Sequence, residues 1–93
     1  MTATKNTLTL KTGGTIPKGT QIVAWNVGGR PNLCEVAGGY KVRVTSCLKM
    51  PSIKTLEKWC DEGIAKTPSG KRVEPDGYGN DGSPSWLLVA GLI

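Results

Sequence analysis

Short stretches of alternating apolar and polar residues fill the first half of the chain, a pattern typical of β-strands. TLTLK (7–11) has the period of two expected of a half-buried strand. QIVAWNV (21–27) is apolar on nearly both faces, which predicts a central strand. LCEV (33–36) and YKVRVTS (40–46) continue the series. The pattern therefore predicts a small antiparallel sheet of about four or five strands.

The turn between the last two of these strands determines which side chains face the core. A two-residue turn at Gly38-Gly39 would mix apolar and polar partners, because a shift of one residue exchanges the two faces. A three-residue loop (37–39) pairs apolar residues with each other and opposite charges with each other. We predict this loop, with a left-handed glycine forming a G1-type bulge. The predicted pairs are Val36 with Tyr40, Glu35 with Lys41 and Cys34 with Val42. The core face would hold Tyr40, Val42 and Val44, and the outer face Lys41, Arg43 and Thr45.

PSIKTLEKWCDEG (51–63) has the start signal, the periodicity and the stop signal of a helix. Ser52 suits the N-cap, because its hydroxyl can accept a hydrogen bond from an N–H group of the first turn. Gly63 suits the residue after the helix, where the left-handed conformation is common. The spacing predicts one apolar face made of Ile53, Leu56, Trp59 and Cys60. We predict a helix near 52–63 that packs on the sheet.

The C-terminal third is rich in turn residues and ends in an apolar run. Turns are predicted at 68–70 and across PDGYGNDGSP (75–84), with a short strand at RVE (72–74) between them. SPSWLLVAGLI (83–93) favours a short helix with Ser83 as N-cap and Pro84 at its first position, but a buried strand fits nearly as well. The predicted class is α+β, with one packing helix and a short C-terminal helix or strand.

Length and charge limit the organisation of the protein and the kind of partner. A chain of 93 residues predicts one domain (1–93) with a β-rich half (1–50) and a second half (51–93) holding the helix, turns and apolar end. Because so short a chain buries a limited share of its surface, a homodimer or docking on a partner is expected. Residues 1–56 hold eight Lys or Arg and one acid, whereas residues 57–93 hold four and six. The basic part favours phosphate or acidic partners, and ordinary solubilising charge explains it equally well.

The residue types exclude the common enzyme and metal chemistries. The chain has no His, which removes the usual Ser/His and Cys/His pairs, and it has no P-loop or GxGxxG. Cys34, Cys47 and Cys60 form no CxxC, and we expect them to be reduced and mostly buried. DGYGNDG (76–82) lacks the ligand spacing of a calcium loop, so a tight turn with local hydrogen bonds is favoured. We expect no enzyme activity, no cofactor and no metal site.

The sequence also carries no signal for membrane insertion or secretion. The N-terminal MTATKNTLTL has no apolar core of the kind found in signal peptides. The longest apolar run, WLLVAGLI (86–93), is too short to cross a bilayer. We therefore expect a cytoplasmic protein with no membrane partner.

The helix region resembles the second helix and wing of MerR-like and excisionase-like winged helices. The matching residues are Ser52, Thr55, Leu56, Trp59, Glu62 and Gly63, with a wing candidate at 69–74. The resemblance implies that Lys54, Thr55 and Lys58 face a DNA groove, while Lys71 and Arg72 contact a wing phosphate. Such a motif needs a bracing helix just before Pro51, where YKVRVTSCLKM (40–50) predicts strand. The alternative is a helix packed across a small sheet, with charged flanks that serve only the fold.

A longer pattern resembles small phage and prophage proteins that have no assigned activity. It is PS.KTLEKW…G.AK…G.RVEPDG…G.PSWLL..GLI, covering residues 51–93. The resemblance implies an accessory protein in the cytoplasm of a host cell. We expect a non-enzymatic protein that binds nucleic acid through a basic face formed by Lys41, Arg43, Lys54, Thr55, Lys58, Lys71 and Arg72. Two alternatives are a modulator that binds a host or phage protein, and a structural component that self-associates through an open sheet edge.

Overall fold

Residues 2–93, which this computed structural model describes, form three small antiparallel sheets and three α-helices, so the α+β class is confirmed. The strands are β1 (Leu8–Thr9), β2 (Thr15–Ile16), β3 (Ile22–Trp25), β4 (Leu33–Val36), β5 (Tyr40–Arg43), β6 (Ala65–Lys66) and β7 (Arg72–Val73). The helices are α1 (Val44–Cys47), α2 (Ile53–Glu62) and α3 (Trp86–Val89), and Val27–Gly29 forms a 3-10 turn. The sheet orders are β1-β2, β3-β4-β5 and β6-β7. The sheets are smaller than the predicted sheet of about four or five strands, because the largest has three strands and the other two have two each.

The β4–β5 hairpin has the predicted register. Val36 pairs with Tyr40, Glu35 with Lys41 and Cys34 with Val42 across a three-residue loop. Gly38 and Gly39 have φ angles of 100° and 86°, which a residue with a side chain rarely adopts. The match of charge and apolarity between facing residues thus predicted the correct turn.

Two expectations about β5 are wrong. The strand ends at Arg43, and Val44 starts the single turn of α1, so Val44 reaches the core from a helix. Tyr40 remains 47% exposed, because it stands at the hairpin end, where its ring lies beside Gly38. The core face of β5 is therefore reduced to Val42.

β3 is an outer strand of its sheet and not the predicted central strand. β4 lies between β3 and β5, and the free side of β3 meets the N-terminal segment through an Ala3–Gln21 bridge. A bulge between Ile22 and Ala24 leaves Val23 exposed. The apolar run at 21–27 therefore does not mark a strand covered on both faces.

α2 has both predicted ends but a narrower buried face. The Ser52 hydroxyl accepts a hydrogen bond from the Thr55 N–H (3.3 Å), and Gly63 is left-handed with φ of 72°. Leu56 is fully buried and Trp59 half-buried, whereas Ile53 and Cys60 are exposed. Because α2 contacts β6 and α3 instead of a broad sheet, only part of its apolar face is covered.

The C-terminal segment is a helix, with a different cap from the one predicted. The Ser85 hydroxyl accepts a hydrogen bond from the Leu88 N–H (3.3 Å), so Ser85, and not Ser83, is the N-cap. α3 joins one hydrophobic core that includes residues from both halves of the chain: Ile16, Ile22, Cys34, Val36, Val44, Cys47, Leu48, Leu56, Ala65, Trp86, Leu87 and Val89. Among residues 2–93, none of the helices has the length and apolar composition needed to span a bilayer.

Candidate functional site

Positive charge on this protein is displayed at the surface and is mostly unpaired. All twelve Lys and Arg side chains are exposed. The described residues contain a single ion pair, in which Lys58 Nζ lies 3.9 Å from Glu62 Oε1. The eight cations of residues 2–56 thus have no ion-pair partner in the described part of the chain. The β-rich half therefore carries most of the unpaired positive charge that could attract an anion.

Lys41 and Arg43 lie on the outer face of the second sheet, as predicted. They alternate with Val42, which packs against the core, and successive strand residues face opposite sides. Their cross-strand neighbours are Glu35 for Lys41 and Leu33 for Arg43. One acid therefore stands near this basic pair, and Arg43 has an apolar neighbour.

A groove of about 330 Å³ separates the first strand from β5, and we call it the β1/β5 groove. Its lining residues are Thr7, Leu8, Thr9, Leu10, Val42, Arg43 and Ser46. Two hydrogen bonds hold its walls together: Asn6 Nδ2 donates to the Ser46 carbonyl (3.3 Å) and the Lys5 N–H to the Cys47 carbonyl (2.9 Å). The lining combines hydroxyl donors, one guanidinium and three aliphatic side chains. Such a surface can bind phosphate and sugar oxygens beside an apolar contact.

Three further lysines lie close in sequence to residues that line or flank this groove. Lys5 and Lys11 flank the lining segment 7–10, and Lys49 lies two residues beyond Cys47, the residue to which the Lys5 N–H is bonded. The sequence alone did not single out these three lysines. The charge excess of residues 1–56 was the available signal, but it gave no indication of which lysines would adjoin β5.

The helix residues predicted to face DNA have acidic or structural partners. Lys58 pairs with Glu62, and the Thr55 hydroxyl lies 3.0 Å from Ser52 Oγ in the helix cap. Lys54 is exposed on the same helix. α2 carries three acids and two lysines, which makes its own charge unfavourable for approach to phosphate.

The bracing helix that the winged-helix resemblance requires before Pro51 is only one turn long. It is α1, Val44–Cys47, and residues 48–52 after it are not helical. Val44 and Cys47 are both buried, so α1 serves the core. The groove-binding role of α2 stays a prediction that this arrangement does not favour.

Lys71 and Arg72 lie on the β6–β7 hairpin, and each shares a cavity with an acid. Lys71 and Asp81 line one of about 300 Å³. Arg72 and Glu62 line another of about 520 Å³, beside Trp59. Neither cavity includes Lys41 or Arg43. The seven predicted residues therefore belong to three structural units: strand β5, helix α2 and the β6–β7 hairpin.

A chain of hydroxyl groups joins this hairpin to the loop before α3. The Oγ atoms of Ser69 and Ser83 lie 2.8 Å apart, Ser69 Oγ lies 2.9 Å from Thr67 Oγ1, and Ser83 donates to Asp81 Oδ1 (2.6 Å). Burial raises the pKa of Asp81, but hydrogen bonds from Ser83, from Ser69 and from backbone N–H groups together outweigh it and hold this pKa below its usual value. A Cβ at Gly79 would lie 2.7 Å from Asp81 Oδ1, so a side chain there would displace the carboxylate from its hydrogen bonds with Ser83. The network explains the predicted tight turn as a structural element.

The three cysteines are free thiols in two settings. Cys34 and Cys47 are buried neighbours, as expected, and Cys60 is exposed on α2, which corrects that part of the expectation. The hydrogen bond with Cys47 and burial both raise the pKa of the Cys34 thiol. The same hydrogen bond lowers the pKa of its partner thiol, Cys47. Among residues 2–93, Cys, Asp and Glu form no group of three that could hold a metal ion.

Comparison with known proteins found no matching family model, no matching curated protein and no matching solved structure. The candidate site therefore rests on the geometry and charge of this chain.

Proposed function

We propose that this protein is a non-enzymatic accessory protein that binds nucleic acid through its β-rich half. The observation that carries the proposal is the excess positive charge of residues 2–56, which hold eight exposed cations and one acid. None of these eight cations forms an ion pair with a described residue. The resemblance of residues 51–93 to small phage and prophage proteins is compatible with this role. The proposed surface comprises the outer face of β5 and the β1/β5 groove.

The groove supports contacts with the sugar-phosphate backbone. Arg43 can donate two parallel hydrogen bonds to a phosphate, and the hydroxyls of Thr7, Thr9 and Ser46 can donate further ones. Lys41 and nearby lysines add charge without fixed geometry. Because these contacts do not involve base edges, we expect binding with little sequence preference.

The number of cations sets the expected salt dependence. If Lys5, Lys11, Lys41, Arg43 and Lys49 each neutralise one phosphate, log K falls with log salt at a slope of about −4.5 for duplex DNA and about −3.5 for single strands. Between 50 and 200 mM salt, affinity for a duplex then decreases roughly 500-fold. A purely solubilising charge would give no measurable binding even at the lower concentration.

Two matched double variants test both the function and its location. One double variant combines Lys41→Gln with Arg43→Gln and removes two positive charges from β5. The other combines Lys54→Gln with Lys58→Gln and removes the same charge from α2. Binding of labelled DNA and RNA, measured by fluorescence anisotropy at two salt concentrations, should weaken more for the β5 variant, by about 10-fold or more, since each lost phosphate contact adds to the loss. Absence of binding to every probe at 50 mM salt would refute the function. Equal losses for the two variants would refute the location.

A further inference from the structure

The β6–β7 hairpin leaves one sheet edge open. β6 contacts α2 and α3, whereas β7 pairs with β6 and with no other strand in the described part of the chain. The pairs are Ala65 with Val73 and Lys66 with Arg72. Next to them the Thr67 N–H donates to the Lys71 carbonyl (2.8 Å). Because bonded and non-bonded pairs alternate in an antiparallel ladder, the backbone groups of Arg72 point away from β6. Open edges of this kind readily pair with another chain.

A shallow apolar depression of about 360 Å³ spans β7 and the residues just before β6, and we call it the β7 patch. It is lined by Gly63, Ile64, Arg72, Val73 and Glu74. Ile64 is 42% exposed, a large exposed fraction for an aliphatic side chain next to a half-buried valine. The patch is therefore an apolar surface with one cation and one anion at its margin.

The two charges of the β7 patch would be complementary between two copies related by a two-fold axis. Glu74 directly follows β7 and precedes Pro75, a position that favours an extended backbone, and both Arg72 and Glu74 line the β7 patch. Residues two apart on an extended backbone face the same side, about 6–7 Å from each other. Neither forms an ion pair within the described chain. A two-fold axis beside Val73 would place Arg72 of each copy opposite Glu74 of the other. Opposite charges that face each other in this way stabilise strand pairing.

The other exposed strand with paired charges lacks this property. β5 carries Lys41 and Arg43 on one face, so two copies meeting along β5 would place cations opposite cations. Facing like charges are a common means of keeping sheet edges apart. Charge complementarity therefore selects the β7 patch for contact between copies, and β5 remains available to an anion.

We propose that the protein forms a two-fold symmetric dimer through the β7 patch. Arg72 of each copy pairs with Glu74 of the other copy, and the two Ile64 side chains cover the apolar depression. The Glu74 carbonyl already accepts a hydrogen bond from the Gly77 N–H (2.8 Å), so side chains rather than a long backbone ladder carry the contact. An interface this small belongs to the weak class, below about 1,200 Å². Because its ion pairs are exposed, added salt weakens it.

Charge reversal gives a test that depends on the pairing itself. Arg72→Glu places Glu opposite Glu, and Glu74→Arg places Arg opposite Arg, so each single variant should be monomeric. An equimolar mixture of the two restores both opposite-charge pairs and should form a heterodimer. The double variant Arg72→Glu with Glu74→Arg restores both pairs within one sequence and should form a homodimer again. Arg30→Glu is the matched control, because it makes the same Arg-to-Glu change at an exposed position outside the patch.

Sedimentation velocity from about 10 µM to 1 mM at low salt, without nucleic acid, reads out the dimer. We expect a concentration-dependent dimer for the natural sequence and for Arg30→Glu, and at least a 10-fold weaker association for Arg72→Glu and for Glu74→Arg. Circular dichroism checks that the variants fold, and heterodimer formation in the mixture shows it independently. A natural sequence that is monomeric at 1 mM would overturn the proposal. So would single variants that dimerise normally, or a mixture and a double variant that both stay monomeric. None of these outcomes depends on nucleic-acid binding.

Discussion

Leu87→Ala should cause a large loss of stability, because Leu87 is where the C-terminal helix enters the core. Its side chain is fully buried in a cluster that also holds Leu56 and Ala65 from the preceding elements. Replacing a buried leucine with alanine costs about 2–5 kcal/mol, since apolar burial is lost and a cavity remains. The whole domain is expected to be stable by only about 5–14 kcal/mol, at roughly 0.05–0.15 kcal/mol per residue. The substitution therefore removes a large share of the stability.

Leu92→Ala is the matched control for this prediction. Leu92 lies just after α3 and is 49% exposed, so the same chemical change should cost less than about 1 kcal/mol. Urea unfolding followed by tryptophan fluorescence measures the free energy of unfolding of both variants. In thermal unfolding, the melting temperature of Leu87→Ala should fall by about 10 °C or more. Equal stabilities for Leu87→Ala and the natural sequence would refute the placement of α3 in the core. A Leu92→Ala variant as unstable as Leu87→Ala would refute the difference in burial.

Two further predictions concern hydrogen bonds in the second half of the chain. Ser52→Ala removes an exposed cap and should lower the free energy of unfolding by about 0.5–2 kcal/mol. Ser85→Ala should lower it more, because the buried Ser85 hydroxyl accepts a hydrogen bond from the Leu88 N–H and also donates one to the Pro75 carbonyl. Chemical unfolding compares the two, and equal costs would contradict this ranking. The pKa of Asp81 is lower in the folded protein than in the unfolded chain, where it is about 4, so its ionised carboxylate stabilises the fold at pH values above about 4. This contribution is lost as the pH falls through the folded-state pKa. The natural sequence should therefore exceed Asp81→Asn in stability at pH 7 and lose that advantage below about pH 4; a pH-independent difference in melting temperature would contradict the assignment.

Local interactions explain the parts of the fold that could be predicted from the sequence. The ends of α2 follow from Ser52 and Gly63, whose capping roles depend on a few neighbouring residues. The register of the β4–β5 hairpin follows from the pairing of Glu35 with Lys41 across a short loop. The outward direction of Lys41 and Arg43 is a consequence of that register.

The same dependence on local signals explains where the sequence was insufficient. Strand patterns at 7–11 and 21–27 contain no information on which strands become neighbours, and three small sheets formed instead of one. Ile53 has the periodicity of a core residue, yet it is exposed at the start of α2. The sequence predicted Ser83 as the N-cap of the C-terminal helix, whereas Ser85, whose hydroxyl also bonds to the Pro75 carbonyl, caps it.

The candidate sites divide in the same way. The sequence by itself determined the excess of positive charge in the first half, the capped helix and the absence of His-dependent chemistry. Tertiary structure alone brought residues 5–11 beside β5 and left the β7 edge open with Arg72 and Glu74 at its margin. Charge and capping depend on residue type and near neighbours, whereas a surface depends on which distant segments the core brings together. That choice is made by the burial of side chains scattered along the whole chain.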